Sequence, residues 1–255
     1  MGQARVPERQ IGMSQIDLEA ERARVNRIGP EYFSHKAMTI DRKQILMMVR
    51  RGLPHCRGPK VLEMSYNDRG WTDALLDRGF DLRVIEGARY NVEYARAKYG
   101  DRLRIDEVLF EEFEPAERYD SIIMSCIIEH VIDPGLVLRR AASWLNDDGV
   151  IVLVVPNRLS LHRRVGFRCG LLSSMEELSE QDLAVGHRRL YTVDSLSEAI
   201  AKAGLRTPQI EGIFLKPLSS AQMIDWPDSL LNAFDDMAHE LRDYSAYLFA
   251  PCYRC

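Results

Sequence analysis

Two glutamates stand where two predicted parallel strands end, and their spacing could bind a nucleoside. Glu63 ends the apolar stretch at residues 60–64, and Glu86 ends the next one at residues 81–86. In an open parallel sheet, ligands bind outside the carboxyl ends of the strands, and an acidic residue about 20 residues after the first strand can accept hydrogen bonds from a ribose. The alternative is that Glu86 is a solvated strand end. The pair predicts a nucleoside cofactor at this sheet edge.

Three histidines are candidates for a general base, because the unperturbed imidazole pKa is about 6.5. His130 follows the fourth predicted strand, and His162 and His187 lie in an irregular segment further along the chain. We predict catalytic roles for His130 and His187 and a substrate contact for His162. The alternative for each ring is a structural hydrogen bond that holds a loop in place.

An arginine pair follows each of the two histidines in the irregular segment. Guanidinium groups bind carboxylates and phosphates through two parallel hydrogen bonds, so Arg163 and Arg188 predict an acidic substrate. The alternative is that both arginines are solvated surface residues. The remaining candidates for substrate contact are Tyr32, His35 and Tyr191.

Short apolar stretches alternate with helical patterns, which predicts an α/β fold with a mostly parallel sheet covered on both faces. The predicted strands are residues 60–64, 81–86, 103–108, 119–125, 150–155, 209–215 and 244–253. The predicted helices are residues 16–28, 32–52, 71–78, 90–99, 193–203 and 230–242, with one more beginning at Asp133-Pro134. Asp133 is a favourable N-cap and proline suits the first helical position. A turn is predicted at residues 146–149.

The order of these elements predicts how the chain is divided. Residues 1–52 precede the first strand and are predicted to form a tail and a helical cap. Residues 53–255 are predicted to form the α/β domain, with insertions at about 157–191 and 217–243. Function commonly lies on loops carried by a rigid scaffold, so we expect the insertions to build the substrate pocket.

Composition narrows the class of protein. The net charge of −4 argues against a general nucleic-acid binder, whose domains are usually basic. No secretory signal or membrane-spanning stretch is visible, so a soluble cytoplasmic protein without a membrane partner is expected. Five scattered cysteines do not suggest a disulfide framework, and no metal site is predicted. The oligomeric state does not follow from the sequence.

Taken together, several motifs resemble class I S-adenosylmethionine-dependent methyltransferases. These motifs are Val61-Leu-Glu-Met64, Val84-Ile-Glu-Gly87, Glu129-His-Val-Ile-Asp-Pro134 and Val154-Val-Pro-Asn157. The Glu-His-Val-x-Asp-Pro string is similar to that of small-molecule O-methyltransferases. The resemblance covers roughly residues 61–204. It implies a Rossmann-like sheet of seven strands, with the last strand antiparallel and inserted between the fifth and sixth, and S-adenosylmethionine as cofactor.

The resemblance also implies cofactor-binding roles at the carboxyl ends of the first four strands. The implied residues are Glu63, Met64, Ser65, Asn67 and Gly70 at the methionine end, Glu86 with Gly87 at the ribose, Leu109 and Phe110 at the adenine, and Ser125 and Cys126 at the pocket floor. One departure stands out. The family usually has glycines where this chain has Ser65, Asn67 and Arg69, and glycine permits positive φ and close approach to a ligand. We therefore expect this loop to run differently or to hold the cofactor less closely.

These observations predict O-methylation of a small molecule, such as a sugar or a specialised metabolite that could be anionic, by in-line transfer of the methyl group. Positioning of the acceptor would supply most of the acceleration, and a base would matter most for a weakly acidic alcohol. The altered loop supports an alternative, a methyltransferase-like binding protein without activity. N-methylation is a close variant, and an RNA methyltransferase is disfavoured by the acidic charge.

Overall fold

The computed structural model describes residues 16–30, 38–66 and 70–255, with only the backbone at 38 and 39. Among these residues two α-helices precede the first strand, and strands and helices follow in a mixed order. The α-helices of the described residues are α1 (Leu18–Ile28), α2 (Met38–Gly52), α3 (Trp71–Asp77), α4 (Arg89–Tyr99), α5 (Pro134–Trp144), α6 (Leu161–Arg168), α7 (Glu180–Ala184), α8 (Val193–Lys202) and α9 (Asp228–Asp236). The predicted start of the second helix at Tyr32 lies outside the described residues.

One sheet contains all eight strands of the described residues. They are β1 (Lys60–Met64), β2 (Asp81–Glu86), β3 (Arg104–Glu107), β4 (Tyr119–Ser125), β5 (Leu145–Pro156), β6 (Leu205–Arg206), β7 (Glu211–Ile213) and β8 (Tyr247–Arg254). The order is β3-β2-β1-β4-β5-β8-β6, and β7 also pairs with β8. The first five strands are parallel, whereas β8 is antiparallel to β5, β6 and β7. The predicted α/β fold and the inserted last strand are confirmed.

The sheet is buried on both faces, and alternate residues of its strands enter different cores. Leu62 and Met64 of β1 join one cluster with α5 and α8, whereas Val61 joins the other with α2 and α3. The same alternation places Ile122 and Ile123 of β4 in opposite cores, because successive strand residues point to opposite faces. This explains why the strands are continuous apolar runs in the sequence.

Local signals place the predicted ends of several elements. Asp133 caps α5, since its carboxylate accepts a hydrogen bond from the Leu136 N–H at 2.8 Å, and Pro134 takes the first turn. Gly79 and Gly204 follow α3 and α8 with φ angles of 76° and 73°, which glycine adopts without a steric penalty. These expectations are confirmed.

Three predictions of local structure were wrong. The predicted turn at 146–149 lies inside β5. Leu145 pairs with Tyr119 of β4 and Val150 pairs with Ser121, so β5 has more residues than β4 between these two pairs and is irregular there. The predicted strand at 209–215 is shortened to β7, and the two-residue strand β6 before it was not predicted, so the sheet has eight strands rather than seven. The last strand begins at Tyr247, because residues 242–244 form a 3-10 turn. In the described part of the chain, no helix combines the length and apolar character needed to span a membrane.

Candidate active site

A cavity of about 580 Å³ lies at the carboxyl ends of the parallel strands. Its walls come from the residues that follow β1 to β5, from α1, from the segment 157–191 and from residues 216–221. The predicted site residues that line it are Ser65, Glu86, Gly87, Leu109, Phe110, Ser125, Cys126, His130, His162, Arg163 and His187. The fold therefore brings together residues that are far apart in the sequence. Tyr32, His35 and Asn67 lie outside the described residues.

Glu86 is buried at the end of β2, and its carboxylate organises the loop after β1. Its Oε2 accepts hydrogen bonds from the Ser65 hydroxyl at 2.8 Å and from the Tyr66 N–H at 2.9 Å, and its Oε1 accepts one from the Ala88 N–H at 2.7 Å. Burial raises the pKa of Glu86, and these hydrogen bonds oppose the shift. A hydrogen bond from the Asn91 side chain opposes the shift as well. Neighbouring donors thus hold the Glu86 carboxylate in place at the cavity wall.

Ser65 adopts the backbone conformation that the family usually provides with glycine. Its φ is 71°, a left-handed value that costs a non-glycine residue about 1–2 kcal/mol. The Ser65 N–H donates to the Ile85 carbonyl at 2.8 Å, and its hydroxyl donates to Glu86. These two bonds offset the strain and hold the serine in this turn. Arg69 lies outside the described residues, as Asn67 does.

Glu63, Met64 and Gly70 lie behind the cavity wall rather than in it. The Glu63 carboxylate accepts a hydrogen bond from the Thr72 hydroxyl at 2.7 Å, and burial raises its pKa to about 8. Met64 packs into the core. Gly70 precedes α3 with a φ of 131°. Their cofactor contacts stay predictions of the resemblance, and the structure places them as supports of the loop.

The floor of the cavity is formed where β4 ends. The Ser125 hydroxyl contacts the Met48 sulfur at 3.5 Å, and Cys126 has a left-handed φ of 58° with its N–H bonded to the Val154 carbonyl at 2.9 Å. Leu109 is buried and Phe110 is half-buried, so both offer apolar surface. This arrangement suits a flat apolar group beside the carboxylate of Glu86.

His187 and His130 lie side by side at the cavity wall. Their ring centroids are 4.7 Å apart and their planes are inclined by 65°. The His187 Nδ1 is 2.9 Å from the Asp182 Oδ1. Although burial alone would raise it, hydrogen bonds from His187 and Ser179 hold the pKa of Asp182 well below its usual range. Burial and then the nearby His187 lower the pKa of His130, so this ring is neutral.

Glu129 is fully buried next to the two histidines. By hydrogen-bond geometry neither of its carboxylate oxygens has a partner among the described residues. Burial raises its pKa to about 7, and the nearby His187 and Cys126 oppose the shift. Ligand atoms of Glu129, His130 and His187 all lie within 4.8 Å of one another. Such a set could share a proton or hold a divalent ion. No metal site was predicted, and only the fold assembles this group.

The predicted substrate ligand Arg188 instead fastens α1 to the segment after β4. Its guanidinium donates to the Glu21 carboxylate at 2.8 Å and to the His130 carbonyl at 2.9 Å. Arg24 bonds to the same two residues, at 2.6 Å and 3.1 Å. Tyr191 is buried and donates to the Ile128 carbonyl at 3.3 Å. Arg188 and Tyr191 therefore do not line the cavity.

Arg163 lines the cavity, but its donors are already used. It pairs with Asp182 at 2.9 Å and donates to the carbonyls of Arg158, Met175 and Glu177.

Three functional candidates were missed by sequence reasoning, namely Glu129, Asp182 and Lys216. Asp182 lies five residues before His187 at the start of a short helix, and Lys216 lies three residues after β7. These positions were the signals in the sequence that could have indicated the two residues.

The comparisons with known proteins agree with this geometry. A family model described as a methyltransferase domain matches residues 23–209, well over half of the chain. The chain belongs to this methyltransferase domain family. Its fold is that of S-adenosylmethionine-dependent methyltransferases, which confirms the resemblance seen in the motifs.

Individual relatives are more distant. A ubiquinone biosynthesis O-methyltransferase of Bradyrhizobium diazoefficiens is 40% identical over 112 residues, which are 42% of this chain and 44% of that protein. The chain thus spans less than half the length of the curated relatives it matches. Among solved structures, an S-adenosylmethionine-dependent methyltransferase of Mesorhizobium loti has a TM-score of 0.59 at 16% identity, covering 81% of this chain and 95% of that one. A Burkholderia thailandensis 1,6-didemethyltoxoflavin-N1-methyltransferase, solved with 1,6-didemethyltoxoflavin and S-adenosylhomocysteine, has a TM-score of 0.55 at 15% identity, covering 93% and 88%.

Proposed function

We propose that this protein methylates an oxygen atom of a small molecule with S-adenosylmethionine as the methyl donor. The observation that carries the proposal is the Glu86 carboxylate, which lines the cavity at the end of β2 and is fixed there by the loop after β1. Family membership supports the reaction class, and the curated relatives named as O-methyltransferases support oxygen as the methylated atom.

Different cavity residues would bind different parts of the cofactor. Glu86 would accept a hydrogen bond from the ribose, and Leu109 and Phe110 would pack against the adenine. Ser125 and Cys126 would border the sulfur end. S-adenosylmethionine supplies an electrophilic methyl group when bound. The chain's contribution is to orient the acceptor in line with that group and to exclude water, effects that supply roughly 7–11 kcal/mol in well-oriented reactions.

We propose His187 as the base that takes the proton of the acceptor hydroxyl. Because Asp182 accepts from Nδ1, the Nε2 atom of His187 carries the free lone pair. The proton would pass from the acceptor oxygen to this Nε2, and the charge of Asp182 would stabilise the imidazolium that forms. His130 is held neutral by burial and would position His187 through the contact of their rings.

Binding of S-adenosylmethionine, measured by calorimetry, tests the cofactor assignment. Glu86→Ala removes hydrogen bonds to a charged group, each worth about 1.5–3 kcal/mol, so the affinity should fall at least about tenfold. Glu93→Ala is the matched control, since Glu93 is exposed on α4. An unchanged affinity in Glu86→Ala would contradict the assigned role of Glu86. A wild-type protein that binds neither S-adenosylmethionine nor S-adenosylhomocysteine would favour the inactive binding protein instead.

A further inference from the structure

A strained turn follows β7 and leads directly to the cavity. Phe214 has a φ of 55°, which is unfavourable for a residue with a side chain. Its N–H donates to the Asp235 carboxylate at 2.9 Å, and its carbonyl accepts from Ala246 at 2.7 Å and from Lys216 at 2.9 Å. Strain that the surroundings hold in this way is frequent at functional sites. In this protein the strained turn places Lys216 at the cavity wall.

The Lys216 ammonium has fewer partners than its chemistry allows. Its Nζ donates to the Ser220 hydroxyl at 3.0 Å, and no carboxylate of the described residues lies within ion-pair distance of it. Ser220 donates in turn to Asp41 at 3.1 Å and accepts from Gln44 at 3.3 Å. An ammonium group has three donors. Two of the three donors of Lys216 are therefore left for a ligand.

His162 adds an unpaired polar atom on the same side of the cavity. Its backbone N–H donates to the Lys216 carbonyl at 3.0 Å, which ties the start of α6 to this lysine. The ring Nδ1 is buried and has no hydrogen-bond partner in the part of the chain that the structure describes. Burial, and then the positive charge of Lys216, hold the pKa of His162 well below its usual range. A neutral ring can donate one hydrogen bond from an N–H.

The arginines near this wall are not available in the same way. Arg163 is paired with Asp182 and with backbone carbonyls, and Arg24 is paired with Glu21. Burial lowers the pKa of Lys216, and the negative charges of Asp41 and Asp182 oppose that shift. An anion beside the ammonium would act in the same direction as these charges. Among the described residues of this wall, Lys216 is thus a cation whose charged form an anionic ligand would stabilise.

We propose that Lys216 and His162 form a subsite that binds a carboxylate of the methyl acceptor. This inference rests on the proposed function and specifies the substrate class, an acidic small molecule. One ammonium and one imidazole provide a single positive charge and about three donors, which match a monoanionic carboxylate better than a dianionic phosphate. The half-buried Leu172 and the buried Ile45 also line the cavity and would contact the apolar part of such an acceptor.

Benzoate and benzamide are matched probes for this subsite, because they share shape and differ in charge. Their dissociation constants would be measured by saturation-transfer NMR on the full chain with saturating S-adenosylhomocysteine. We expect benzoate to bind at least about tenfold tighter than benzamide, as a charged hydrogen bond implies. Lys216→Met should reduce this preference to about onefold, and Lys216→Arg should restore much of it. His162→Phe should reduce it in part.

The control is Lys202→Met, which removes an exposed lysine of α8 that is paired with Glu198. It should keep the full preference for benzoate. Equal binding of the two probes by the wild type, or an undiminished preference in Lys216→Met, would overturn the subsite. The affinity for S-adenosylhomocysteine separates this result from a failure of the proposed function. Each variant should retain that affinity, which also shows that it has folded.

Discussion

The buried carboxyl of Glu63 makes the stability of the fold depend on pH. Glu63 is almost fully buried, and its pKa is raised from 4.5 to about 8, chiefly by burial. We predict that Glu63→Gln removes this dependence, because glutamine keeps the shape of the side chain and an oxygen that can accept from Thr72. The same variant tests whether Glu63 contacts the cofactor, as the family resemblance implies.

The magnitude follows from the raised pKa. A carboxyl whose folded pKa is raised favours the protonated form, so its contribution is fully present below about pH 4.5 and is lost as the pH rises towards about 8. Each pH unit in this window is worth 1.36 kcal/mol. Between pH 5 and pH 8 the wild type should therefore lose about 4 kcal/mol at this site. Glu129 acts in the same direction, since its pKa is raised to about 7, but it is present in both proteins.

Urea unfolding at pH 5, 6, 7 and 8 would measure this difference. The free energy of unfolding of Glu63→Gln minus that of the wild type should increase by about 4 kcal/mol from pH 5 to pH 8. Glu93→Gln, at an exposed site, should follow the wild type. Parallel pH dependences of Glu63→Gln and the wild type would refute the reasoning. The affinity for S-adenosylmethionine should stay within about threefold, because Glu63 lies behind the cavity wall.

Two further predictions concern the site itself. His187→Gln should lower kcat by about 10²–10⁴-fold, as expected for loss of a general base, in methyl transfer to the best of a panel of alcohols and phenols. The affinity for S-adenosylmethionine should be unchanged, and His239→Gln, at an exposed site, should behave as the wild type. A kcat of His187→Gln equal to that of the wild type would exclude His187 as the base. Ser65→Ala keeps the strained φ of 71° but loses the bond to Glu86, and should cost about 1.5–3 kcal/mol in urea unfolding. Ser65→Gly should be less damaging because it relieves the strain, and the opposite order would show that the turn is not strained.

The sequence by itself determined the elements that depend on neighbouring residues. Continuous apolar runs placed β1, β2 and β4 with their observed bounds, and Asp133-Pro134 placed the start of α5. Those signals act within a few residues, so the sequence alone is enough to locate these elements. The sequence also placed Glu86 at the carboxyl end of a parallel strand, where the topology of such sheets puts a ligand.

Only the tertiary structure decided which charged side chains are free to act. Arg163 and Arg188 suggested an acidic ligand in the sequence, yet both are held by carboxylates far away in the chain. Lys216, which no motif indicated, faces the cavity with a hydroxyl group as its polar partner. Asp182 of α7 contacts both Arg163 and His187, so the fold links these two predicted site residues. Whether a charge is satisfied depends on contacts between distant segments, and the packing of the chain creates those contacts.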